Sequence, residues 1–218
     1  STPITYTWSP EPESGQGTAS ATYTWATTGT KAITVTAENC GGVATATYTL
    51  LLIPPSSQAI EISQNSGSIV TDTTGLTATV EVPTGAVRAP TVLVYTPLPT
   101  PTHSFAGGLG FAEHAFRLEA YQEGVLRSGF VFSRPLTVTL FYSDDAVDGL
   151  EEDSLRLYYW DGGGWADVAG TCTPPSAYDR DPVHNQLSVV FCHLTEFALA
   201  GAKEQYQKRI YLPLVVRD

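Results

Sequence analysis

Leu136-Thr137-Val138-Thr139-Leu140 alternates apolar and polar residues at every second position. That is the period of a β-strand with one face on a core and the other toward water. The same reading extends outward in both directions. Ala78-Thr79-Val80-Glu81-Val82, Thr91-Val92-Leu93-Val94-Tyr95 and Phe116-Arg117-Leu118-Glu119-Ala120 lie upstream; Leu155-Arg156-Leu157-Tyr158-Tyr159, Leu187-Ser188-Val189-Val190-Phe191 and Glu196-Phe197-Ala198-Leu199 lie downstream. Gly, Pro and Asp residues punctuate them, which predicts an antiparallel sandwich rather than alternating βα units. One helical turn is expected, over Asp144 to Ser154, where acidic residues follow Ser143 as they would after an N-cap.

Composition agrees with an all-β chain. Only 15% of the 218 residues are charged, against 19 Gly, 15 Pro and 29 Thr, so good helix formers are scarce. The length allows one large domain or two small ones. A net charge of −11, with 11 basic residues spread thinly, leaves no electrostatic footprint for nucleic acid or anionic lipid. No apolar stretch approaches the roughly 18 residues of a membrane span, so no membrane insertion is expected.

Residues 1–53 carry only the charges of Glu11, Glu13, Lys31 and Glu38. Ala21-Thr22-Tyr23-Thr24-Trp25 and Lys31-Ala32-Ile33-Thr34-Val35-Thr36 alternate with period two and predict strands, with Pro10, Gly29 and Gly41-Gly42 at the turns. Tyr23-Thr24-Trp25, Thr28-Gly29-Thr30, Ile33-Thr34-Val35-Thr36 and Ala44-Thr45-Ala46-Thr47 together resemble the second half of PKD-type β-sandwich repeats of extracellular proteins, with Tyr6-Thr7-Trp8 as the earlier tryptophan strand. The acidic turn usual after that Trp is replaced by Ser9-Pro10-Glu11-Pro12. The resemblance implies a truncated PKD-like or Ig-like sandwich over 1–53. Pro54-Pro55-Ser56-Ser57 then stiffens the chain and stops ladder pairing, so a Pro/Ser linker is expected over 54–59. A larger sandwich follows over 60–202. Residues 203–218 are expected to form a C-terminal tail or edge strand, because Pro213 disfavours a central position.

Chemistry concentrates in Cys192-His193-Leu194-Thr195-Glu196-Phe197-Ala198-Leu199. A Thr hydroxyl can attack the carbonyl just before its own nitrogen, turning the Leu194–Thr195 amide into an ester that water hydrolyses. His193 has the side chain suited to take the hydroxyl proton. The His-Leu-Thr-x-Phe-Ala-Leu stretch resembles the proteolysis site of GAIN domains, found in adhesion-type G-protein-coupled receptors and polycystin-like proteins. Leu157-Tyr158-Tyr159-Trp160-Asp161-Gly162-Gly163-Gly164-Trp165 followed by Cys172 is similar to that family's Trp-pair-then-Cys stretch. Val82-Pro83-Thr84-Gly85-Ala86 and Phe132-Ser133-Arg134-Pro135-Leu136 resemble strands of the related domain of ankyrins and netrin receptors. The resemblance implies a GAIN-like sandwich with His193, Leu194 and Thr195 as a self-cleavage site. The chain departs from the receptor pattern in having two Cys here rather than four, with Cys192 at the position of an Asn. The alternative is purely structural: His193, Thr195, Phe197 and Leu199 alternating onto one face of a closing strand.

In an exported protein Cys172 and Cys192 would close a disulfide across the last hairpin, leaving Cys40 unpaired. Trp160 and Trp165 are candidates for an aromatic binding platform, against packing at a strand pair around Gly162-Gly163-Gly164. The acidic residues from Asp144 to Asp153 have no EF-hand spacing and read as a solvated turn. Asp179 and Asp181 flank Arg180 as a local salt bridge would. His103, His114 and His184 are dispersed, so no metal and no cofactor are expected. The expectation is a secreted or cell-surface, all-β, two-domain piece of a modular bacterial-type protein. Its role would be structural or adhesive, with a protein or glycan ligand and the parent's other domains as partners. No turnover enzyme is expected, a single self-cleavage event being the alternative; a third reading is a carbohydrate-binding module using Trp160, Trp165 and the tyrosines.

Overall fold

The structure, a computed structural model, describes residues 3–73 and 76–204. Strands β1 (Thr5–Ser9), β2 (Gly29–Asn39) and β3 (Gly42–Leu52) form an antiparallel sheet in that order. The chain continues through β4 (Gln58–Ile62), β5 (Gly67–Thr73), β6 (Leu76–Val82), β7 (Thr91–Leu98), β8 (Leu109–Gln122), β9 (Val125–Leu126) and β10 (Val131–Phe141). It ends in β11 (Arg156–Trp160), β12 (Trp165–Asp167), β13 (Tyr178–Asp181), β14 (Gln186–His193) and β15 (Glu196–Ala202). A five-stranded sheet has the order β13-β14-β10-β6-β5, and a seven-stranded one the order β12-β11-β15-β8-β7-β4, with β9 paired to β8. All pairings between these strands are antiparallel, so the all-β class holds.

Alternation decides which side chains enter the core. Leu136, Val138 and Leu140 of β10 are fully buried, and Val80 of β6 with Leu187, Val189 and Phe191 of β14 joins them from the same sheet. Leu93, Phe116, Leu118, Leu155, Leu157, Phe197 and Leu199 meet them from the facing side. The Tyr95, Phe116 and Phe197 rings stack in sequence, with centroids 4.8 and 5.1 Å apart, a spacing at which aromatic pairs add to area burial. His114 is also buried, its Nε2–H donating to the Phe141 carbonyl at 2.7 Å, and burial holds the imidazole below its ordinary value.

The first sheet is built on a different balance. Cross-strand register puts Trp8, Val35 and Ala46, and likewise Ile33 and Tyr48, on one face. Thr34–Thr47 and Thr36–Thr45 hydroxyl pairs, at 2.9 and 3.1 Å, line the other. Only Ile33 of this sheet is buried, at 8% exposure. The sheet touches the sandwich where the Thr30 hydroxyl donates to the Gly124 carbonyl. Gly124 has φ +74, and a Cβ there would lie 3.2 Å from Thr30 Cγ2, so conformation and contact both call for glycine.

Several expectations are corrected. Residues 21–25 are not a strand: Thr22 makes a single bridge to Ser14, while the Tyr23 and Trp25 rings stack at 5.2 Å. Their period-two spacing serves a ring stack in an extended loop instead of a ladder. Strand pairing resumes with β4 at Gln58, inside the expected 54–59 linker, just after a turn closed by the Ser57 N–H on the Pro54 carbonyl. Asp144 to Ser154 holds two 3-10 turns, Asp145–Val147 and Glu152–Ser154. A third 3-10 turn, Val168–Thr171, was not expected. Of the C-terminal segment only Lys203 and Glu204 are described, with Lys203 bridging Leu150; Pro213 and the rest lie outside the described residues. Among the described residues no helix is long and apolar enough to cross a membrane.

Phe116→Ala is expected to cost about 3–5 kcal/mol in urea unfolding, the range for emptying a packed aromatic site. Val43→Ala, 62% exposed on β3, is expected to stay within about 0.5 kcal/mol.

Candidate functional site

The His-Leu-Thr stretch is where the chain passes from one sheet to the other. β14 ends at His193, paired with Val131 in the five-stranded sheet, and β15 begins at Glu196, paired with Arg117 in the seven-stranded sheet. A single closing strand carrying His193 and Thr195 on one face is therefore not what forms. Leu194 plugs the crossing from inside, 8% exposed and part of the core.

Thr195 is held from both sides. Its hydroxyl donates to the Trp160 carbonyl of β11 at 3.0 Å, and its own carbonyl accepts the Leu118 N–H of β8 at 3.0 Å. His193 points elsewhere: its ring lies against Tyr159, centroids 5.7 Å apart, and its Nδ1 is buried with no hydrogen-bond partner. The predicted nucleophile and base are thus neighbours in sequence, while the nucleophile's proton is committed to a main-chain acceptor. Just before them, Cys192 is disulfide-bonded to Cys172, and its N–H donates to the Thr171 hydroxyl at 3.1 Å. Cys40 is free and exposed in the β2–β3 turn.

A second set of groups gathers around Glu196, 5% exposed on the outer side of β15. Its Oε1 accepts the Thr102 N–H at 2.6 Å, its Oε2 accepts the Thr102 hydroxyl at 2.5 Å, and Arg117 lies 3.5 Å from Oε2. Because the Thr102 proton goes to the carboxylate, the hydroxyl oxygen accepts from His103 Nδ1 at 2.9 Å. The His103 ring lies flat on Trp160, centroids 3.7 Å apart and planes within 7°. Trp165 Nε1–H donates to the His103 carbonyl at 3.1 Å, and Phe105 stacks on Trp165 at 4.9 Å. Trp160 and Trp165 are direct cross-strand partners with rings edge to face at 5.6 Å. Their hairpin turns on Asp161, whose Oδ1 accepts the Gly163 and Gly164 N–H groups at 2.8 Å each; those bonds hold its carboxyl below the ordinary range.

Sequence reading named the two tryptophans but missed Thr102, His103, Arg117 and Glu196. A charged residue opening the apolar run Glu196-Phe197-Ala198-Leu199 was the one available signal, and nothing in the Pro-rich loop around Thr102 marked it as a partner.

The remaining candidates resolve into local structure. Arg180 pairs with neither flanking aspartate, because strand alternation turns them to the opposite face. Its guanidinium donates to the Leu155 carbonyl at 3.0 Å and lies 4.6 Å over the Tyr178 ring, while Asp181 takes His184 at 2.6 Å. Of the acidic residues between Asp144 and Asp153, Glu152 accepts from the Tyr142 hydroxyl and Asp144 from Asn185, each at 2.7 Å. Among the described residues no group of three or more His, Cys, Asp or Glu side chains is placed to hold a metal.

Asp167 anchors the back of the hairpin. Burial acts to raise its carboxyl, but hydrogen bonds from the Tyr178 hydroxyl at 2.6 Å and the Ala169 N–H at 2.9 Å, with Arg156 alongside, outweigh this and hold it below the ordinary range.

No family model matches the chain, and no curated protein matches it.

Two outcomes test the local structure. Thiol titration of the denatured, unreduced protein should find one thiol, that of Cys40, and three after reduction; Cys192→Ser should lower stability by about 3 kcal/mol, the loop-closure value for a 20-residue separation. Since the folded pKa of Asp167 is depressed, its contribution is complete above the unfolded value of about 4 and is lost as pH falls toward the folded one. Asp167→Asn should flatten the acid limb of a stability profile measured by urea unfolding between neutral pH and about pH 3.

Proposed function

We propose that this chain is a non-enzymatic structural and adhesive module of a secreted or cell-surface, modular protein of bacterial type. The observation that carries this reading is the hydrogen bond from the Thr195 hydroxyl to the Trp160 carbonyl. A carbonyl holds that proton but is not a base, so Thr195 acts as a clamp between strands rather than as an activated nucleophile. The disulfide beside the crossing supports an oxidising, extracellular setting. The low-charge, Thr-rich composition suits a rigid exported sandwich, and the partners are then the parent protein's other domains together with a protein or glycan ligand.

One observation favours a second reading, a single self-cleavage. The buried Nδ1 of His193 has no partner, so it is a polar atom left without the hydrogen bond that burial calls for. In that reading the Thr195 hydroxyl leaves Trp160, its proton passes to His193, and its oxygen bonds to the Leu194 carbonyl carbon. The Leu194–Thr195 C–N bond breaks as the proton returns to the departing amine, and water hydrolyses the resulting ester.

Mass analysis of the protein, denatured and reduced without added protease, separates the two. A single species of 23.3 kDa is expected. A fragment beginning at Thr195 and ending at Asp218, abolished by Thr195→Ala, would overturn the non-enzymatic reading.

A further inference from the structure

We propose that the groove on the outer face of the seven-stranded sheet is a binding site for a neutral oligosaccharide. The groove encloses about 310 Å³, the small end of ligand clefts and enough for a short run of sugar units. Arg117 and Glu119 of β8 form its floor, the His103–Trp160 stack one wall, and Arg127 and Ser128, just after β9, the other.

The groove is built, not left over between loops. The loop of the first wall is fastened to the sheet by Glu196, whose buried carboxylate takes both the N–H and the hydroxyl of Thr102, and by the Trp165 Nε1–H on the His103 carbonyl. Thr102 in turn receives His103, which lies flat on Trp160. A buried carboxylate gives little net stability compared with apolar packing, since desolvation offsets its attraction to Arg117. What the arrangement achieves is position: a fixed side chain beneath a loop is how a binding wall is pre-organised. The opposite wall is tied down by the Arg127 N–H on the Ala120 carbonyl at 2.8 Å.

Charge and hydrogen-bond chemistry select the ligand. Two guanidiniums face two carboxylates, Glu119 and Glu196, along the groove, so no net field draws an ion. The chain's −11 charge further disfavours anions. Donors from Arg117, Arg127 and Ser128 interleave with acceptors on Glu119 and on His103, whose Nε2 carries the lone pair once Nδ1 donates to Thr102. Sugar hydroxyls both donate and accept, so they match such a mixed set. The stacked aromatic wall suits the apolar C–H face of a pyranose ring.

The inference rests on the adhesive reading above and fails separately from it, because cleavage is read by mass and the groove by titration. The intact chain is titrated with cello-, xylo-, malto- and chitohexaose while Trp fluorescence is followed, with tetragalacturonate as the acidic comparison. At least one neutral hexaose should give a saturable change with Kd between about 10⁻⁵ and 10⁻³ M. The double variant Arg127→Ala/Ser128→Ala changes exposed residues only; it should weaken binding about tenfold or more with an unchanged melting curve. No saturable change with any neutral hexaose at about 5 mM, equal binding by the double variant, or tighter binding of tetragalacturonate would each overturn the proposal.

Discussion

The sandwich depends on how one residue, Thr195, is pinned. A chain that leaves one sheet and enters the facing one must satisfy its main-chain polar groups between the two ladders, where an orphaned carbonyl is costly. Thr195 meets that demand on both sides, with its hydroxyl on β11 and its carbonyl on β8. Leu194 fills the space beneath, and the Cys172–Cys192 bond holds the strand that leads in. With the crossing secured, β15 lies between β11 and β8 as the buried centre of the larger sheet.

That constraint organises the polar chemistry around it. An interior strand that begins with glutamate has a carboxylate to satisfy, and the loop carrying Thr102 and His103 folds over it to do so. The loop's aromatic residues then cover the β11–β12 hairpin, and the hairpin's own back is closed by Asp167, Tyr178 and Arg156. Packing, hydrogen bonding and the outer groove thus descend from the same junction.

The sandwich and the three-stranded sheet differ in what they bury. The sandwich closes a continuous core from both sheets, whereas the three-stranded sheet buries only Ile33 and leaves Val43, Tyr48 and Leu50 of β3 exposed. Its threonine ladder contributes cross-strand hydrogen bonds of modest individual worth. The hairpin turn at Gly124 gives the two parts their glycine-dependent contact.

Period-two alternation in stretches such as Leu136–Leu140 and Leu187–Phe191 was enough to give the fold class and the core positions, because burial of one strand face is a local property of the pattern. The disulfide partners were legible in the same way, as two cysteines around the last hairpin. The sequence could not show that Tyr23 and Trp25 alternate to stack on each other, nor that His193 ends a strand of one sheet while Thr195 lies in the crossing to the other. Neither could it show that Glu196 would find Thr102, 94 residues away. Those facts turn on which strands become neighbours, and register and sheet order are set by the packing of the whole core. The local pattern says which face is buried, and only the tertiary structure decides what lies against it.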